Sequence, residues 1–123
     1  MKNQVYEFKV KEILRVVDGD TVDLTVFLGF YVTQEIRVRL LDVDAPEIRG
    51  KEKIDGFKIK ALAAMWFDDH KDDELWIETR KTGKYGRWLG IIRAKGNQFS
   101  FNDYINFAIA DLAQTINENF IDD

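Results

Sequence analysis

Residues 5–28 read VYEFKVKEILRVVDGDTVDLTVFL, and this stretch decides the fold. β-Branched and aromatic residues are frequent on both sides of the triplet Asp18-Gly19-Asp20, which favours two strands. The triplet itself is typical of a tight turn between strands. The second strand alternates apolar and polar residues over most of its length, which predicts one buried face. The residues expected on that face are Val22, Leu24, Val26 and Leu28.

The chain beyond this hairpin continues the β-rich pattern and adds two helices. Residues 32–40 predict a third strand, whose inward-facing residues are Val32, Ile36, Val38 and Leu40. Residues 54–69 predict a helix with one buried stripe made of Ile54, Phe57, Ala61, Leu62 and Met65. Residues 75–79 and 88–94 predict two more strands. A second helix is predicted from Ser100, where Asp103 completes a capping box. The residues expected on its buried face are Ile105, Ala108, Ile109, Leu112, Ala113 and Ile116.

The order of these elements is three strands, a helix, two strands and a helix. Five short strands with an interposed helix predict an α+β fold, a five-stranded Greek-key barrel of the OB type with helices packed on it. A length of 123 residues fits one domain, and we assign residues 1–123 to it.

Composition excludes several classes of function. The chain has no cysteine, so disulfides, a thiolate nucleophile and a cysteine zinc site are ruled out. The sole histidine, His70, lies in a charged stretch, and we expect it to be exposed and without a catalytic role. No apolar run is long enough for a signal peptide or a membrane span. We therefore expect no membrane partner and a cytoplasmic protein, or a secreted one if a leader was removed.

Charge gives a mixed indication about nucleic acids. The formal net charge of −4 argues mildly against a polyanionic partner. However, residues 80–87 carry Arg80, Lys81, Lys84 and Arg87 without an acidic residue between them. A cation next to an aromatic residue, as in Lys84-Tyr85, suits a nucleotide, although an ordinary polar hairpin tip has the same composition.

Carboxylates cluster in two predicted turns and indicate a cation site. The acidic residues in these turns are Asp18, Asp20, Asp42, Asp44 and Glu47. Hard cations such as Ca²⁺ prefer several oxygen ligands, which turns can bring together. The second turn lacks the spacing and the glycine of an EF-hand loop. The alternative is that these aspartates only shape the turns, as aspartate often does.

Arginine completes a set of groups that phosphodiester hydrolysis requires. Arg39 lies at the end of the third predicted strand, and Arg87 lies in the basic stretch. Arginine can bind phosphate oxygens with two parallel hydrogen bonds, although most arginines on strands are simply solvated or paired. The reaction needs a metal, a carboxylate that positions water, and fixed positive charge. The sequence offers one set of each.

Three segments resemble the staphylococcal nuclease (thermonuclease) family. They read VVDGDTV at residues 16–22, RLLDVDAPE at 39–47 and KYGRWL at 84–89, and the similarity extends over about residues 5–113. Their order, their spacing and the intervening helix agree with the family. The resemblance implies a calcium-dependent nuclease that cleaves DNA, RNA or both and leaves 3′-phosphate ends.

The resemblance also implies a role for individual residues. Asp20, Asp44 and the backbone carbonyl of Ala45 are expected to bind Ca²⁺, so that Asp18 and Asp42 either shape their turns or support the ligands without contacting the ion. Glu47 is expected to activate or order the attacking water. Arg39 and Arg87 are expected to bind the reacting phosphate. Lys84 and Tyr85 are expected to contact the substrate.

The sequence departs from the family in ways that concern substrate affinity. Position 45 is Ala where the family often has Thr, and the family's stacking tyrosine aligns near Thr115. The chain ends where the family continues into a third helix. We expect a monomer with weak, salt-sensitive substrate binding. The alternative function is a catalytically silent OB-type module that binds nucleic acid or protein.

Overall fold

The computed structural model describes residues 5–81 and 88–121. The strands within these ranges are β1 (Val5–Asp18), β2 (Thr21–Gly29), β3 (Val32–Leu40), β4 (Leu75–Lys81) and β5 (Trp88–Ala94). The helices are α1 (Lys53–Asp69), preceded by a 3₁₀ turn at Gly50–Glu52, and α2 (Phe101–Ile121). Neither α1 nor α2, over its described residues, is long and apolar enough to cross a membrane.

The five strands close into a barrel in the order β1-β2-β3-β5-β4. Strand β1 closes it because its first part pairs with β4, from Val5 to Lys9, and its second part pairs with β2, from Val10 to Asp18. Register shifts along the second part mark bulges, which bend a strand and increase its twist. The β3–β5 pair is parallel and the other pairs are antiparallel. The expected OB-like α+β barrel is therefore confirmed.

The apolar faces predicted for β2 and β3 are buried only where other strands flank the hairpin. Val22, Leu24, Val26, Val38 and Leu40 are at most 1% exposed. In contrast, Leu28 and Val32 are 40% and 50% exposed, so their predicted burial was wrong. The reason is that β1 pairs with β2 only as far as Val26, and the described residues of β5 pair with β3 from Val38 to Leu40. The tip of the hairpin extends beyond the barrel.

Most of the predicted stripe of α1 was also wrong, because Ile54, Phe57 and Met65 are 72%, 47% and 58% exposed and Ala61 is exposed as well. Leu62, the fifth predicted residue, packs partly against the core. The residues that α1 buries are Gly56, Ile59, Ala63, Trp66 and Phe67. Apolar residues occur around most of this helix, so helical spacing alone fits more than one face. Gly56 selects the buried face, since a Cβ there would lie 2.3 Å from the carbonyl oxygen of Glu47. Only glycine permits this close approach.

The start of α2 matches its prediction. Ser100 Oγ accepts the Asp103 N–H and Asp103 Oδ2 accepts the Ser100 N–H, both at 3.0 Å, which forms the expected capping box. Ile105 is fully buried, and three other predicted residues pack partly against the core, namely Ala108, Ile109 and Leu112. Ala113 is exposed, because the described core contacts of α2 end at Leu112. The side chain of Ile116 lies outside the described residues.

His70 is not the exposed residue that the sequence predicted, because its side chain is only 20% exposed. Its ring lies 4.1 Å from the ring of Trp66, and Nδ1 is 2.7 Å from Asp73 Oδ2. These contacts hold the end of α1 and assign His70 a structural role.

Asn102 connects α2 to two strands and to the loop that follows β3. It is 5% exposed, its Nδ2 donates to the carbonyls of Leu41 and Gly90, and its Oδ1 accepts the Ile92 N–H. One buried side chain therefore hydrogen-bonds three backbone groups at this corner of the barrel, where the Gly90 carbonyl also accepts the Leu41 N–H.

We predict that Asn102→Ala lowers the free energy of unfolding by about 2–4 kcal/mol, because it leaves buried backbone groups without partners. The matched control is Asn106→Ala, which removes one exposed hydrogen bond to the Asp42 carbonyl and should cost less than about 1 kcal/mol. Urea unfolding of both variants measures the difference. Equal losses of unfolding free energy in the two variants would show that the buried hydrogen bonds of Asn102 add no special stability.

Candidate active site

The β1–β2 turn, the end of β3 and the start of β5 surround one open pocket of about 670 Å³. Five of the eight predicted site residues line it, namely Asp20, Arg39, Asp44, Ala45 and Glu47. Asp18, Arg37 and Trp88 line it as well. Predicted site residues that are up to 27 positions apart in sequence, such as Asp20 and Glu47, therefore share one pocket. The other three predicted site residues, Lys84, Tyr85 and Arg87, lie outside the described residues.

Asp20 is positioned by its own turn and by β3. Asp18 Oδ1 accepts the Asp20 N–H at 3.1 Å, which is the local bond that aspartate makes in turns. The carbonyl of Asp20 accepts the Leu40 N–H at 2.7 Å, which ties the turn to the end of β3. The carboxylate accepts the Thr21 hydroxyl and the Ala45 N–H. Both the backbone and the side chain of Asp20 are therefore fixed.

Gly19 lets the β1–β2 turn approach the loop after β3. A Cβ at this position would lie 2.5 Å from Ile59 Cγ2 and 2.7 Å from the Cβ of Ala45. No residue with a side chain fits this gap without moving α1 or the loop. The close packing places Asp20 within hydrogen-bond distance of the Ala45 backbone.

The loop after β3 directs Asp44 outward. Asp42 adopts a left-handed conformation with φ of 59°, which aspartate tolerates better than most residues. Val43 and Ala45 are 1% and 9% exposed, whereas the side chain of Asp44 between them is fully exposed. Pro46 follows, in a segment without strand structure, as its missing N–H predicts.

Arg39 lies within ion-pair distance of both carboxylates that are expected to bind metal. Its Nη2 atom is 3.6 Å from Asp20 Oδ2 and 3.8 Å from Asp44 Oδ1. These are ion-pair distances, too long for hydrogen bonds. The Arg39 side chain is 36% exposed and lines the pocket, so it lies near both carboxylates while it stays accessible from the pocket. Arg37 also lines the pocket, but it makes two hydrogen bonds of 2.7 and 3.0 Å to Asp23.

Asp20 carries a charge in an unfavourable environment. Burial raises its pKa to about 6 from an ordinary value of 3.8, and the hydrogen bond and negative charge of Asp18 add to the shift. Its side chain is only 15% exposed. A nearby cation would stabilise the charged form of the Asp20 carboxylate, which is poorly hydrated and lies beside the negative charge of Asp18.

The donor atoms in the pocket fit a hard cation. They are carboxylate oxygens of Asp20 and Asp44, which Ca²⁺ prefers to nitrogen or sulfur. Within residues 5–81 and 88–121, no three acidic or histidine side chains come together as a metal-binding group. A cation here would therefore rely on two carboxylates, with backbone carbonyls or water completing its ligands.

Sequence reasoning found the turn at Gly19 but missed its close contact with the loop after β3, and it missed the roles of Gly56 and Asn102. Gly19 and Gly56 permit close backbone contacts, and Asn102 joins three segments. A glycine inside a predicted helix was a usable signal for Gly56, since such a residue often marks close packing. No pattern in the sequence distinguished Asn102 from a surface asparagine.

Two curated proteins are similar to this chain. It is 39% identical to Protein ParB of Escherichia coli over 82 residues, which is 66% of this chain and 40% of that protein. It is 35% identical to Micrococcal nuclease of Shigella flexneri over 83 residues, which is 68% of this chain and 41% of that protein. The chain therefore spans about two fifths of the length of these relatives. No family model matches it, and no solved structure matches it significantly.

We predict that Asp20→Asn stabilises the metal-free protein. The pKa of Asp20 is higher in the folded state than in the unfolded state, so ionisation of this carboxyl opposes folding. Below pH 3.8 the carboxyl is protonated in both states and has no effect on the free energy of unfolding. The free energy of unfolding then falls as the pH rises from 3.8 through about 6. In EDTA at pH 8 the variant should gain about 1–3 kcal/mol, and the gain should vanish near pH 3.

Urea unfolding at both pH values measures this gain. Asp44→Asn is the matched control, since it neutralises a fully exposed carboxylate in the same pocket and should leave stability unchanged. A loss of stability in Asp20→Asn at pH 8 would contradict the assigned environment of Asp20.

Proposed function

We propose that this chain is a calcium-dependent nuclease of the staphylococcal nuclease family, which hydrolyses phosphodiester bonds of DNA, RNA or both. The observation that carries the proposal is the arrangement of Arg39 beside Asp20 and Asp44, in one open pocket with Glu47. The similarity to a protein named Micrococcal nuclease and the OB-like barrel support a nuclease-like or nucleic-acid-binding role.

The residues of the pocket suit a phosphate diester that gains negative charge as it reacts. Arg39 would bind a phosphate oxygen, because its guanidinium faces the pocket and stays charged at any working pH. Its two carboxylate neighbours keep the side chain in place before substrate arrives. Arg87 is proposed as a second phosphate contact, and Lys84 and Tyr85 as further substrate contacts.

Asp20, Asp44 and the carbonyl of Ala45 would hold the calcium ion. When bound, the ion would supply positive charge that neutralises the phosphate. Asp20 is prepared for this role, since its carboxylate is already desolvated and held by two hydrogen bonds. The entropy cost of ordering the Asp20 side chain therefore belongs to folding and does not weaken binding of the ion.

Glu47 would orient and deprotonate the attacking water. It is exposed, lines the pocket, and lies three residues beyond Asp44 on the same loop. Its backbone is packed against α1, because Gly56 contacts the Glu47 carbonyl. A carboxylate on an anchored backbone can position water more reproducibly than one on a free loop. Cleavage is proposed to leave 3′-phosphate ends.

We predict that Glu47→Gln slows cleavage of single-stranded DNA by about 10²–10³-fold, because the amide cannot accept the proton from water. Initial rates are measured at low salt with millimolar Ca²⁺ and compared with rates in EDTA. The same variant controls for contaminating nucleases, whose activity would survive the substitution. Cleavage that depends on Ca²⁺ but is unaffected by Glu47→Gln would show that Glu47 does not activate the attacking water.

A chain that binds the same DNA without cleaving it would instead be the silent binding module. The OB-like barrel is the observation that favours this second function, since such barrels often serve for binding alone.

We predict that Arg39→Ala lowers kcat/KM by about 10²–10³-fold, because a preorganised charge in the transition state is lost. Arg87→Ala should have an effect of similar size for the same reason. Arg93→Ala is the matched control, since Arg93 is an exposed arginine that lines a separate cleft formed by residues of β1, β4, β5 and the segment after β5. An equal reduction in all three variants would indicate general attraction of the polyanion rather than specific phosphate contacts.

A further inference from the structure

We propose that an apolar groove beside the candidate active site is a binding subsite for a nucleobase of single-stranded nucleic acid. The groove has a volume of about 190 Å³, and its walls include Tyr6, Phe8, Leu28, Gln34, Ile36 and Trp88. We call it the aromatic groove. This inference rests on the proposed function and adds a contact for the base to the proposed contacts for the phosphate.

The aromatic groove is continuous with the candidate active site. Trp88 lines both, and its strand position pairs with Val38 in β3. Strand β3 also connects them, because Ile36 lies in the groove and Arg39 lies in the pocket. The two residues are three positions apart, about 10 Å along the strand, and they lie on opposite faces of β3 because successive side chains alternate, so the pocket and the groove meet at Trp88. One strand of nucleic acid can span this distance, since OB folds typically contact about 4–16 nucleotides.

The pocket is lined by charged side chains and the groove is not, which matches the difference between a charged phosphate and an uncharged base. The charged side chains that line the pocket are Asp18, Asp20, Arg37, Arg39, Asp44 and Glu47. The described residues that line the groove carry no charged side chain. A phosphate gains little in an uncharged groove, whereas a base is uncharged, planar and largely apolar on its faces. The shared boundary at Trp88 favours an occupant that has both kinds of group.

The walls of the groove offer flat rings and polar edges. The rings of Tyr6 and Phe8 stack with centroids 6.2 Å apart and an angle of 25° between their planes. Tyr6 and Leu28 are 44% and 40% exposed, so a ligand can reach them. Gln34 is exposed at the same groove and can donate to or accept from the edge of a base. Stacking of this kind tolerates any base, so the subsite is expected to bind without strong sequence preference.

Tyr6→Leu tests the subsite because it removes the ring and keeps an apolar side chain. The probes are a fluorescent thymidine oligomer of about eight nucleotides and an abasic oligomer of equal length. Binding is measured by fluorescence anisotropy in EDTA, and cleavage is measured in Ca²⁺. The control is Phe99→Leu, which removes an aromatic ring that is 53% exposed and packs against Phe107 in α2.

Tyr6→Leu should weaken binding of the thymidine oligomer about tenfold and raise its KM without changing kcat. Binding of the abasic oligomer should not change, and Phe99→Leu should change neither. Leu28→Ser, at an exposed wall position on the hairpin, should repeat the base-dependent loss if Tyr6→Leu proves unstable.

The remaining outcomes separate this inference from the proposed function. If the wild type cleaves DNA and neither groove variant changes binding, the subsite is wrong and the nuclease stands. Equal losses on both oligomers would also overturn the subsite, because they would indicate a structural role. If the wild type binds without cleaving, the groove variants still decide the subsite. If it neither binds nor cleaves, both proposals fail.

Discussion

The contact between the β1–β2 turn and the loop after β3 determines the geometry of the site. Gly19 lies so close to Ala45 and Ile59 that any side chain there would collide with them. Hydrogen bonds from Leu40 and Ala45 to Asp20 then fix the turn against the end of β3. Without this contact, Asp20 would not lie beside Arg39, and the pocket would lose the juxtaposition of charges on which its proposed chemistry depends.

Closure of the barrel makes this contact possible. Strand β1 pairs with two neighbours, and the parallel β3–β5 pair brings Trp88 to the edge of the pocket. Asn102 then joins α2 to β5 and to the loop after β3. The stability of the core and the position of the functional loops therefore depend on the same interactions, which is how a small domain can keep charged side chains in a defined arrangement.

The sequence predicted the barrel well because alternation and turn residues report directly on strands. It predicted the helix cap at Ser100 for the same reason, since capping is a local interaction. It failed for the buried face of α1, because that choice depends on the contact between Gly56 and the Glu47 backbone outside the helix, which helical spacing does not report. It failed for Leu28 and Val32, because the length of the hairpin beyond the barrel is set by the pairing of other strands. Five of the eight predicted site residues share a pocket, and their chemical roles stay predictions.

The central claim is that the desolvated carboxylate of Asp20 and the exposed carboxylate of Asp44 together bind a calcium ion. Calorimetric titration of Ca²⁺ into the wild type and into Asp20→Asn tests it most directly, with no need for substrate. We expect saturable binding by the wild type and affinity at least about tenfold weaker in the variant, since the loss of a residue that only supports a ligand already reaches that size. Absence of binding to the wild type, or an unchanged titration in Asp20→Asn, would contradict it.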